Sequence, residues 1–354
     1  MGSNKIIEGM DNVMNNMEYR DWIKGKLDIN NELLYLTQAD CRGVGLTDDE
    51  ILEFTEKAMI AYSTKKAEMP AKIGIHPLHD TLMHAMPAHI PDHFACGIKW
   101  ASCFPENRSR YGYSQTTGVL IYNDAESGSP ICLMDAVYIT EIRTAAVAVA
   151  AAKKLANTKA KTFGMVGCGV QGNSHVALIE KALPELEEIY ILDVFEPAMD
   201  ALIERQQPNV KAKIIKAKDY KEIADKCEVI CSAAIITEKP EPKFKDEWFR
   251  KGQTIIMSDC HTHYEDATMK RADKYLLDSI EQHELLIDYG YYPWGLPEIY
   301  GETGEVLGGI KKGRENEDEL IVCNNVGMAV EDIMVARIIF DKALENGVGK
   351  ILPL

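Results

Sequence analysis

A glycine-rich turn between an apolar run and a helix-compatible segment constrains this chain more than any other feature. The turn, Gly167-Cys168-Gly169-Val170-Gln171-Gly172, follows an apolar run at residues 163–166. A second apolar run, 189–192, ends at Asp193. Strand, glycine turn, helix, strand and acid, in this order, form the arrangement that binds dinucleotides. The sequence therefore predicts a nucleotide-binding α/β unit, with a glycine turn in an ordinary α/β unit as the alternative.

Each residue of this motif has a distinct physical role. Gly167 permits the tight turn, Gly169 lets the backbone approach a pyrophosphate, and Gly172 lets the helix pack close to the strand. Val170 and Gln171 open the helix, whose first N–H groups can bind phosphate. Asp193 can accept hydrogen bonds from both ribose hydroxyls and would repel a 2′-phosphate. The predicted cofactor is therefore NAD (NADH) rather than NADP.

Composition excludes several classes of partner. The chain has 354 residues and a formal charge of −16, with no block of Lys and Arg, so nucleic acid and anionic membrane surfaces are not expected partners. No apolar run approaches the roughly 20 residues of a membrane helix. The N-terminus lacks a signal pattern. Nine cysteines without a CxxC pair predict reduced thiols in a cytoplasmic protein.

Hydrophobic periodicity divides the chain into two kinds of structure. After Asp193, strands predicted at 212–217, 228–234, 254–258 and 275–277 alternate with helices, which is typical of a doubly wound parallel sheet. Before the glycine turn, short strands at 72–75, 81–88 and 94–102 predict an antiparallel meander. Residues 293–319 are predicted to be loop. Helices are predicted at 145–155, at 175–183, at 326–344 and within the polar N-terminal residues 1–32.

Three charged residues outside the glycine turn are candidates for chemistry. Arg143 sits in the first turn of a predicted helix, where a cation is unfavourable unless it faces an anion such as a substrate carboxylate. The alternative is a surface salt bridge with Glu141 or Asp135. Lys99 lies in an apolar strand, where burial would lower its pKa and suit acid–base work; an outward, solvated lysine is the alternative. Asp259 ends a strand where ligands bind in open α/β sheets, although it could be an ordinary turn residue.

Five of the nine histidines fall between residues 76 and 93. There is no HExxH motif and no Cys/His pairing with zinc-finger spacing. On alternating strand positions these rings would point to different faces. No metal site is therefore predicted, and the histidines have no assigned role.

Short motifs along the chain resemble the ornithine cyclodeaminase/mu-crystallin family. The resemblance covers about residues 33–348. It is carried by Met86-Pro87-Ala88, Gly97-Ile98-Lys99, Phe104-Pro105-Glu106-Asn107, residues 124–128, Arg143-Thr144-Ala145-Ala146, Gly167-x-Gly169-x-Gln171, Ser258-Asp259-Cys260 and residues 325–332.

The resemblance implies a fold and an assembly. The expected fold is α/β, with a Rossmann-type doubly wound parallel sheet (156–319) inserted into an α+β substrate-binding and dimerisation domain. That domain comprises residues 33–155 and 320–354, and residues 1–32 form a helical extension. Family members dimerise through sheets of the substrate domain, so a homodimer or dimer-based oligomer is expected.

The resemblance also implies residue roles. Lys99 matches the catalytic lysine and Asp259 the catalytic aspartate of the cyclodeaminases. Matches to substrate-binding positions are Lys72, Arg143, Gln115 and Val326. Matches to cofactor contacts are Thr144, Gly169, Gln171 and Asp193. Lys72 stands where the cyclodeaminases carry Arg, and Gln115 where they carry a Thr, so the pocket is expected to differ from that for ornithine.

The reaction that the resemblance implies is hydride transfer at a carbon bearing nitrogen. An amino acid is oxidised to an imine, a terminal amine attacks it, ammonia leaves, and the hydride returns, as in conversion of ornithine or a related diamino acid to a cyclic imino acid such as proline. The alternative is an NAD(H)-dependent amino-acid dehydrogenase or cyclic ketimine reductase without cyclisation. A third reading is a non-catalytic NAD(P)H-dependent binding protein, which retention of Lys99, Arg143 and Asp259 argues against.

Overall fold

A computed structural model describes residues 16–236, 239, 241–260 and 263–354. The chain divides into two compact units. The first contains the chain up to Glu50, Lys65–Thr140 and Ala329–Leu354; the second contains Ile51–Thr64 and Glu141–Met328. Most of the amphipathic helix predicted at the N-terminus lies outside the described residues. The domain boundaries inferred from the sequence stay a prediction.

The first unit is built on a seven-stranded sheet with the order β15-β1-β6-β5-β4-β3-β2. All neighbours pair antiparallel except β1 and β6. Its strands are β1 (Glu32–Leu36), β2 (Ile73–Ile75), β3 (Leu82–Ile90), β4 (Ala95–Cys103), β5 (Thr116–Asn123), β6 (Pro130–Asp135) and β15 (Lys350–Pro353).

The long C-terminal helix packs on one face of this sheet, against β3, β4 and β5. The unit's helices are α1 (Asn16–Lys24), α2 (Gln38–Gly43), α4 (Asn107–Tyr111) and α12 (Ala329–Asn346). Two further helices enter the second unit: α3 (Asp48–Ser63), which lies almost wholly in it, and α5 (Val137–Leu155), which continues into it.

A buried polar cluster anchors α1 on α12. The Tyr19 hydroxyl donates to Asp341 at 2.6 Å, and Asp341 accepts from Arg337 Nε at 3.1 Å. The Arg337 guanidinium also lies over the Tyr19 ring, 4.6 Å from its centroid. Arg337 and Asp341 are nearly inaccessible to solvent, so the charge of each residue offsets the cost of burying the other.

The second unit is a doubly wound parallel sheet with the order β13-β12-β14-β11-β10-β7-β8-β9. Its strands are β7 (Thr162–Val166), β8 (Glu188–Leu192), β9 (Lys213–Lys216), β10 (Val229–Ser232), β11 (Thr254–Met257), β12 (Lys274–Leu277), β13 (Gly301–Glu302) and β14 (Ile321–Asn324). The strand order reverses beside β7, which makes the carboxyl end of β7 the topological switch point where ligands bind in such sheets.

Helices connect these strands. They are α6 (Val170–Leu178), α7 (Glu196–Gln206), α8 (Tyr220–Lys226), α9 (Asp266–Lys270), α10 (Ile280–Asp288) and α11 (Thr303–Leu307). Among the described residues, no helix combines the length and the apolar content that a membrane-spanning segment needs.

The α/β class predicted from the sequence is confirmed, with local corrections. Helix α6 begins at Val170, five residues before the predicted start, because it opens directly from the glycine turn. The predicted loop at 293–319 contains β13 and α11. The last helix begins at Ala329 rather than at residue 326, because Gly327 has φ +86°, outside the helical region. Strand β14 was missed, although all four of its residues are buried between β11 and β12.

Candidate active site

The glycine turn of the second unit is shaped by close backbone contacts. Gly167 has φ +96°, and a Cβ there would lie 2.6 Å from the carbonyl oxygen of Ala233. A Cβ at Gly172 would overlap the carbonyl oxygen of Gly167. At Gly169, by contrast, a Cβ would meet nothing within 4 Å. The turn is therefore packed against β10 and α6 but open at Gly169, the position where a pyrophosphate is expected to approach.

The open side of the turn coincides with the N-terminus of α6. Gly169 is the N-cap of that helix and supplies no side-chain hydrogen bond to it. The first N–H groups of a helix carry a partial positive charge, which favours an anionic ligand. Val170, the first residue of α6, is 57% exposed. These features fit the phosphates of a dinucleotide.

Asp193 links the turn to the end of β8. One carboxylate oxygen accepts from Cys168 N at 2.7 Å and the other from Phe195 N at 2.8 Å. A carboxylate can accept about four hydrogen bonds, so two remain for ribose hydroxyls. Val194 and Phe195 follow Asp193, are largely exposed and carry no charge. The absence of a cation at these two positions fits an unphosphorylated ribose.

His175 ties the first turn of α6 to the end of β11. Its Nδ1 lies 2.7 Å from Gln171 O, which can only accept, so Nδ1 carries the proton. Its Nε2 therefore accepts from Ser258 Oγ at 3.0 Å. Burial lowers the pKa of His175 to about 4, which keeps the imidazole neutral. This hydrogen bond fixes Ser258, the residue before Asp259, relative to α6.

Asp259 lies just past the carboxyl end of β11 and is fully buried. Its carboxylate accepts from Ser232 Oγ at 3.0 Å and from Ala234 N at 2.9 Å. Burial raises the pKa of Asp259 to about 7, partly offset by these two hydrogen bonds. The group can exchange a proton near neutral pH. Each of its oxygens already accepts one hydrogen bond from a residue at the carboxyl end of β10 or just after it.

Arg143 is 5% exposed and lies on α5 in the second unit. The prediction that it sits in the first turn of a helix was wrong, because α5 begins at Val137, eight residues before the predicted start, and Arg143 is six residues beyond that point. Its guanidinium packs against Gly327, because a Cβ there would lie 2.7 Å from Cζ and from Nη2. Gly327 is held by Asp278, which accepts from its N–H at 2.6 Å, and by Gln282, which donates to its carbonyl at 3.0 Å. The guanidinium is thus seated on a fixed backbone turn.

Two further predicted residues lie in the second unit. Thr144 follows Arg143 on α5 and is buried. Val326 precedes Gly327 and packs on a cluster that includes Tyr291 and Tyr292. Arg143, Val326 and Gly327 therefore belong to one packed region of the second unit.

Lys99 of the first unit forms a buried ion pair. Its Nζ lies 2.6 Å from Asp332 Oδ2, and the two side chains are 2% and 0% exposed. Nζ also donates to Thr140 Oγ1 at 3.3 Å. Lys99 pairs across the sheet with Met86 and with Leu120, which are buried and apolar. The lysine thus faces the buried side of the sheet, which excludes the outward, solvated orientation.

Lys72 and His84 share that side of the first unit. Both are buried, and His84 lies on β3, the strand beside that of Lys99. Burial, then the charge of Lys72, with a smaller effect of Lys99, lowers the pKa of His84 to about 3. A neutral imidazole and two lysines therefore occupy this face.

Gln115 is exposed at the far end of β5, where its amide donates to Pro105 O at 3.1 Å. It lies five residues from Leu120, the partner of Lys99, or about 16 Å along an extended strand. The sheet therefore brings Lys72, His84 and Lys99 near one another but leaves Gln115 apart from them.

The sequence interpretation missed three of these residues: Asp332, Thr140 and His84. Asp332 lay within a quoted motif but had no role. The period-2 alternation of β3 would have put His84 on the same face as Met86, whose partner is Lys99. The described part of the chain holds no group of three or more His, Cys, Asp or Glu side chains arranged for a metal ion.

Comparison with known proteins gives consistent matches over most of the chain. Residues 33–347 match the model of the ornithine cyclodeaminase/mu-crystallin family. The nodulation efficiency protein NfeD of Rhizobium meliloti is 31% identical over 319 residues, which are 90% of this chain and 98% of that protein.

Two solved structures superimpose closely. One is the Thermococcus litoralis Δ1-pyrroline-2-carboxylate reductase in complex with NADH and L-proline, with TM-score 0.80, 27% identity and coverage of 90% of this chain and 99% of that one. The other is an archaeal alanine dehydrogenase dimer with bound NAD, with TM-score 0.80, 27% identity and coverage of 91% and 99%.

Proposed function

The chain belongs to the ornithine cyclodeaminase/mu-crystallin family, and from that premise we propose that it is an NAD(H)-dependent enzyme acting on the Cα–N bond of an amino acid or on the corresponding imine. The observation that carries the proposal is the open glycine turn with Asp193 at its edge. Two of the relatives described above, a reductase and a dehydrogenase, contain NADH or NAD in their structures.

The proposed cofactor contacts lie on the turn and around it. They are Gly167, Gly169, Val170, Gln171, Gly172, Asp193 and Thr144. When bound, the nicotinamide exchanges a hydride with the carbon that carries the substrate nitrogen.

Arg143 is the proposed carboxylate-binding residue. A guanidinium binds a carboxylate through two parallel hydrogen bonds, which also fixes its orientation. The packing of Arg143 on the Gly327 turn holds its fork in one place, which reduces the entropy lost on binding. Lys72 is a further proposed substrate-binding cation, and Val326 and Gln115 are proposed as specificity residues.

Lys99 is the proposed acid–base residue. Reduction of an imine requires a proton at nitrogen, and oxidation of an amine requires its removal. A buried amine that donates to Thr140 and is ion-paired with Asp332 is held in a defined orientation for that transfer.

Both cyclodeamination and net redox chemistry, as a cyclic-imine reductase or an amino-acid dehydrogenase, are compatible with the site, and we favour net redox chemistry because the two structures that superimpose on this chain are a reductase and a dehydrogenase. A cyclodeaminase needs a group that binds or deprotonates a second amine of the substrate. Asp259 is the predicted group: each of its oxygens accepts one hydrogen bond, from Ser232 or from Ala234, and can accept a second. Cyclodeamination is the second candidate, since the pKa of about 7 for Asp259 suits proton transfer near neutral pH.

One experiment separates the candidates. The protein is incubated with NAD and a panel of α-amino acids, or with NADH and cyclic imines, while ammonia and NADH are followed together. NADH consumption with cyclic imines, or NADH formation in step with ammonia or imine, supports net redox chemistry. Ammonia release from a diamino acid with no net NADH supports cyclodeamination. Tight NADH binding without turnover on either panel would refute both.

A homodimer is also proposed, through the outer face of the first unit's sheet. On that face, neighbouring strands carry apolar side chains that are each at least a third exposed. They are Tyr35, Trp100, Val119, Ile121 and Ile73. Contiguous exposed apolar area of this kind marks an interaction surface. A cytoplasmic location is proposed from the nine cysteines, which are all free thiols.

A further inference from the structure

A buried polar network lies at the carboxyl ends of β12 and β14 in the second unit. Asp278 and Ser279 follow β12, Asn324 ends β14, and His283 lies in the first turn of α10. All four residues are fully buried. A buried polar group is unfavourable unless its donors and acceptors find partners, so the hydrogen bonds of this network constrain the protonation state of its members.

The orientation of the Asn324 amide is fixed by its neighbours. Its Nδ2 donates to the backbone carbonyls of Met257, at 3.3 Å, and of Asp259. A rotated amide would place Oδ1 against these two carbonyl oxygens, and no proton would lie between them. Oδ1 therefore points the other way, where it accepts from the Tyr292 hydroxyl and faces the His283 ring.

Both ring nitrogens of His283 face oxygen atoms that can only accept. Nδ1 lies 2.8 Å from the carbonyl oxygen of Ser279, and Nε2 lies 3.1 Å from Oδ1 of Asn324. A neutral imidazole has one donor nitrogen and could satisfy one of these contacts, whereas an imidazolium has two donors and satisfies both. His175 is different, because its Nε2 meets the Ser258 hydroxyl, which can donate. The hydrogen bonds therefore favour a charged His283 and a neutral His175.

The Asp278 carboxylate compensates the charge of this imidazolium, with Oδ1 3.5 Å from Nδ1 of His283. Compensation is needed because a cation in the first turn of a helix opposes the helix dipole. Other charged or titratable groups around this turn are Glu281 on α10, Glu302 at the end of β13, Tyr62 on α3, Tyr292 after α10, Cys260 after β11 and Arg143 on α5. The carboxylates among them favour the positive charge, and Arg143 opposes it.

We propose that His283 is a positioning residue that acts as a buried imidazolium. Its ion pair with Asp278 holds that carboxylate in place, and Asp278 accepts from the N–H of Gly327 at 2.6 Å. The Gly327 turn seats the Arg143 guanidinium. The position of the proposed carboxylate-binding residue thus depends on a charge that does not touch the substrate. The inference rests on the proposed function for the role of Arg143, whereas the charge of His283 follows from its own hydrogen bonds.

A second connection runs from His283 through Asn324 to Asp259. Nε2 of His283 faces Oδ1 of the amide, and Nδ2 of the same amide donates to the backbone carbonyl of Asp259. Loss of the Nε2 proton would set a lone pair against Oδ1, and the amide could not rotate without losing its two carbonyl acceptors. One buried charge therefore holds both the Arg143 seat and the backbone of Asp259.

The charge of His283 can be measured without turnover. In protein labelled with 15N-histidine, NMR should find this ring doubly protonated at about pH 8, where an ordinary histidine, which titrates near pH 6.5, is mostly neutral. His283→Gln assigns the signal by its loss. Asp278→Asn removes the counter-charge, so the ring should lose its second proton at a lower pH than in the wild type. A His283 ring that is neutral at pH 7 in the wild type would overturn the inference.

His283→Gln also tests the positioning role, because glutamine keeps an amide but cannot carry the charge. Hydrogen exchange of the Gly327 amide should become about tenfold faster, and KM for the amino acid or imine should rise about tenfold, while NADH affinity stays within about twofold. Lys274→Gln is the matched control. It removes another buried cation of the second unit, at the amino end of β12, where Lys274 is ion-paired with Glu315 and Glu319. This variant should lose stability without either effect.

The outcomes separate this inference from the proposed function. Equal exchange rates of the Gly327 amide in His283→Gln and Lys274→Gln would overturn the positioning role, whether or not the wild type turns over any substrate. A KM that stays at the wild-type value in His283→Gln would overturn it as well. The expected NMR and exchange results, combined with no turnover of any amino acid or imine by the wild type, would refute the proposed function alone.

Discussion

Gly327→Ala offers a direct test of the role proposed for Arg143. Gly327 has φ +86°, where an alanine costs about 1–2 kcal/mol relative to its preferred conformations. The added Cβ would also lie 2.7 Å from Cζ and Nη2 of Arg143 and would overlap Nη1. Those atoms must move, since Gly327 itself is held through its N–H and its carbonyl by Asp278 and Gln282. The substitution therefore displaces the guanidinium without removing it.

The magnitude follows from the hydrogen bonds that a displaced guanidinium loses. One charge-assisted hydrogen bond to a carboxylate contributes about 1.5–3 kcal/mol, which corresponds to roughly a 10- to 150-fold rise in KM for the amino acid or imine. NADH affinity should stay within about twofold, because the glycine turn is not touched. The free energy of unfolding should fall by the cost of the left-handed backbone, about 1–2 kcal/mol, plus the cost of repacking Arg143.

Gly290→Ala is the matched control. Gly290 has φ +85° in the same unit, and a Cβ there would meet nothing within 4 Å. It imposes the same backbone strain without touching Arg143. Urea denaturation should show that the strained backbone lowers the free energy of unfolding by a comparable amount in both variants. Steady-state kinetics should show a raised KM in Gly327→Ala alone. Equal KM values in the two variants would refute the assignment of Arg143 as the carboxylate-binding residue.

Three further outcomes are expected. Asp193→Ala removes the acceptor of two backbone N–H groups and should weaken NADH binding about tenfold or more in a fluorescence titration, whereas Asp200→Ala, in an exposed ion pair, should leave it unchanged. Folding raises the pKa of Asp259 from 3.8 to about 7, so the folded state binds the proton more tightly and the free energy of unfolding should fall as pH rises from about 4 to 7. Asp259→Asn should reduce the dependence of that free energy on pH, as measured by urea titrations. An unchanged dependence would contradict the raised pKa. Ile121→Asp on the outer face of the sheet should give a monomer by light scattering, while Ile310→Asp, exposed in the second unit, should not alter the mass; a dimer that persists in Ile121→Asp would refute the proposed interface.

The nucleotide-binding part was predictable because its signals are local. Alternation of apolar runs and helical segments, a glycine turn and an acid at the end of a strand all lie within about thirty residues, and each is a consequence of backbone sterics or hydrogen bonding. The structure confirms that order, from β7 through Asp193. Boundaries were less predictable, as the early start of α6 and the missed strand β14 illustrate, because burial on both faces removes the periodic pattern that marks an element.

Asp259 marks the limit of reasoning from position alone. Because Asp259 follows a strand of a parallel sheet, the sequence correctly predicted that it lies at the carboxyl edge of that sheet. The hydrogen bonds to Ser232 and Ala234, however, come from the neighbouring strand β10 and the turn after it. Which strand lies beside which depends on sheet order, and sheet order is not written in local periodicity.

Local sequence patterns were enough to predict the α/β class, the glycine turn with Asp193, and the candidacy of Lys99 and Arg143. The contacts of Lys99 with Asp332 and of Arg143 with the Gly327 turn could be read only from the folded chain. Burial and charge compensation are properties of packed surfaces, so Asp332 becomes a partner of Lys99 only when the last helix packs on β3, β4 and β5 and brings together residues that lie far apart in the sequence.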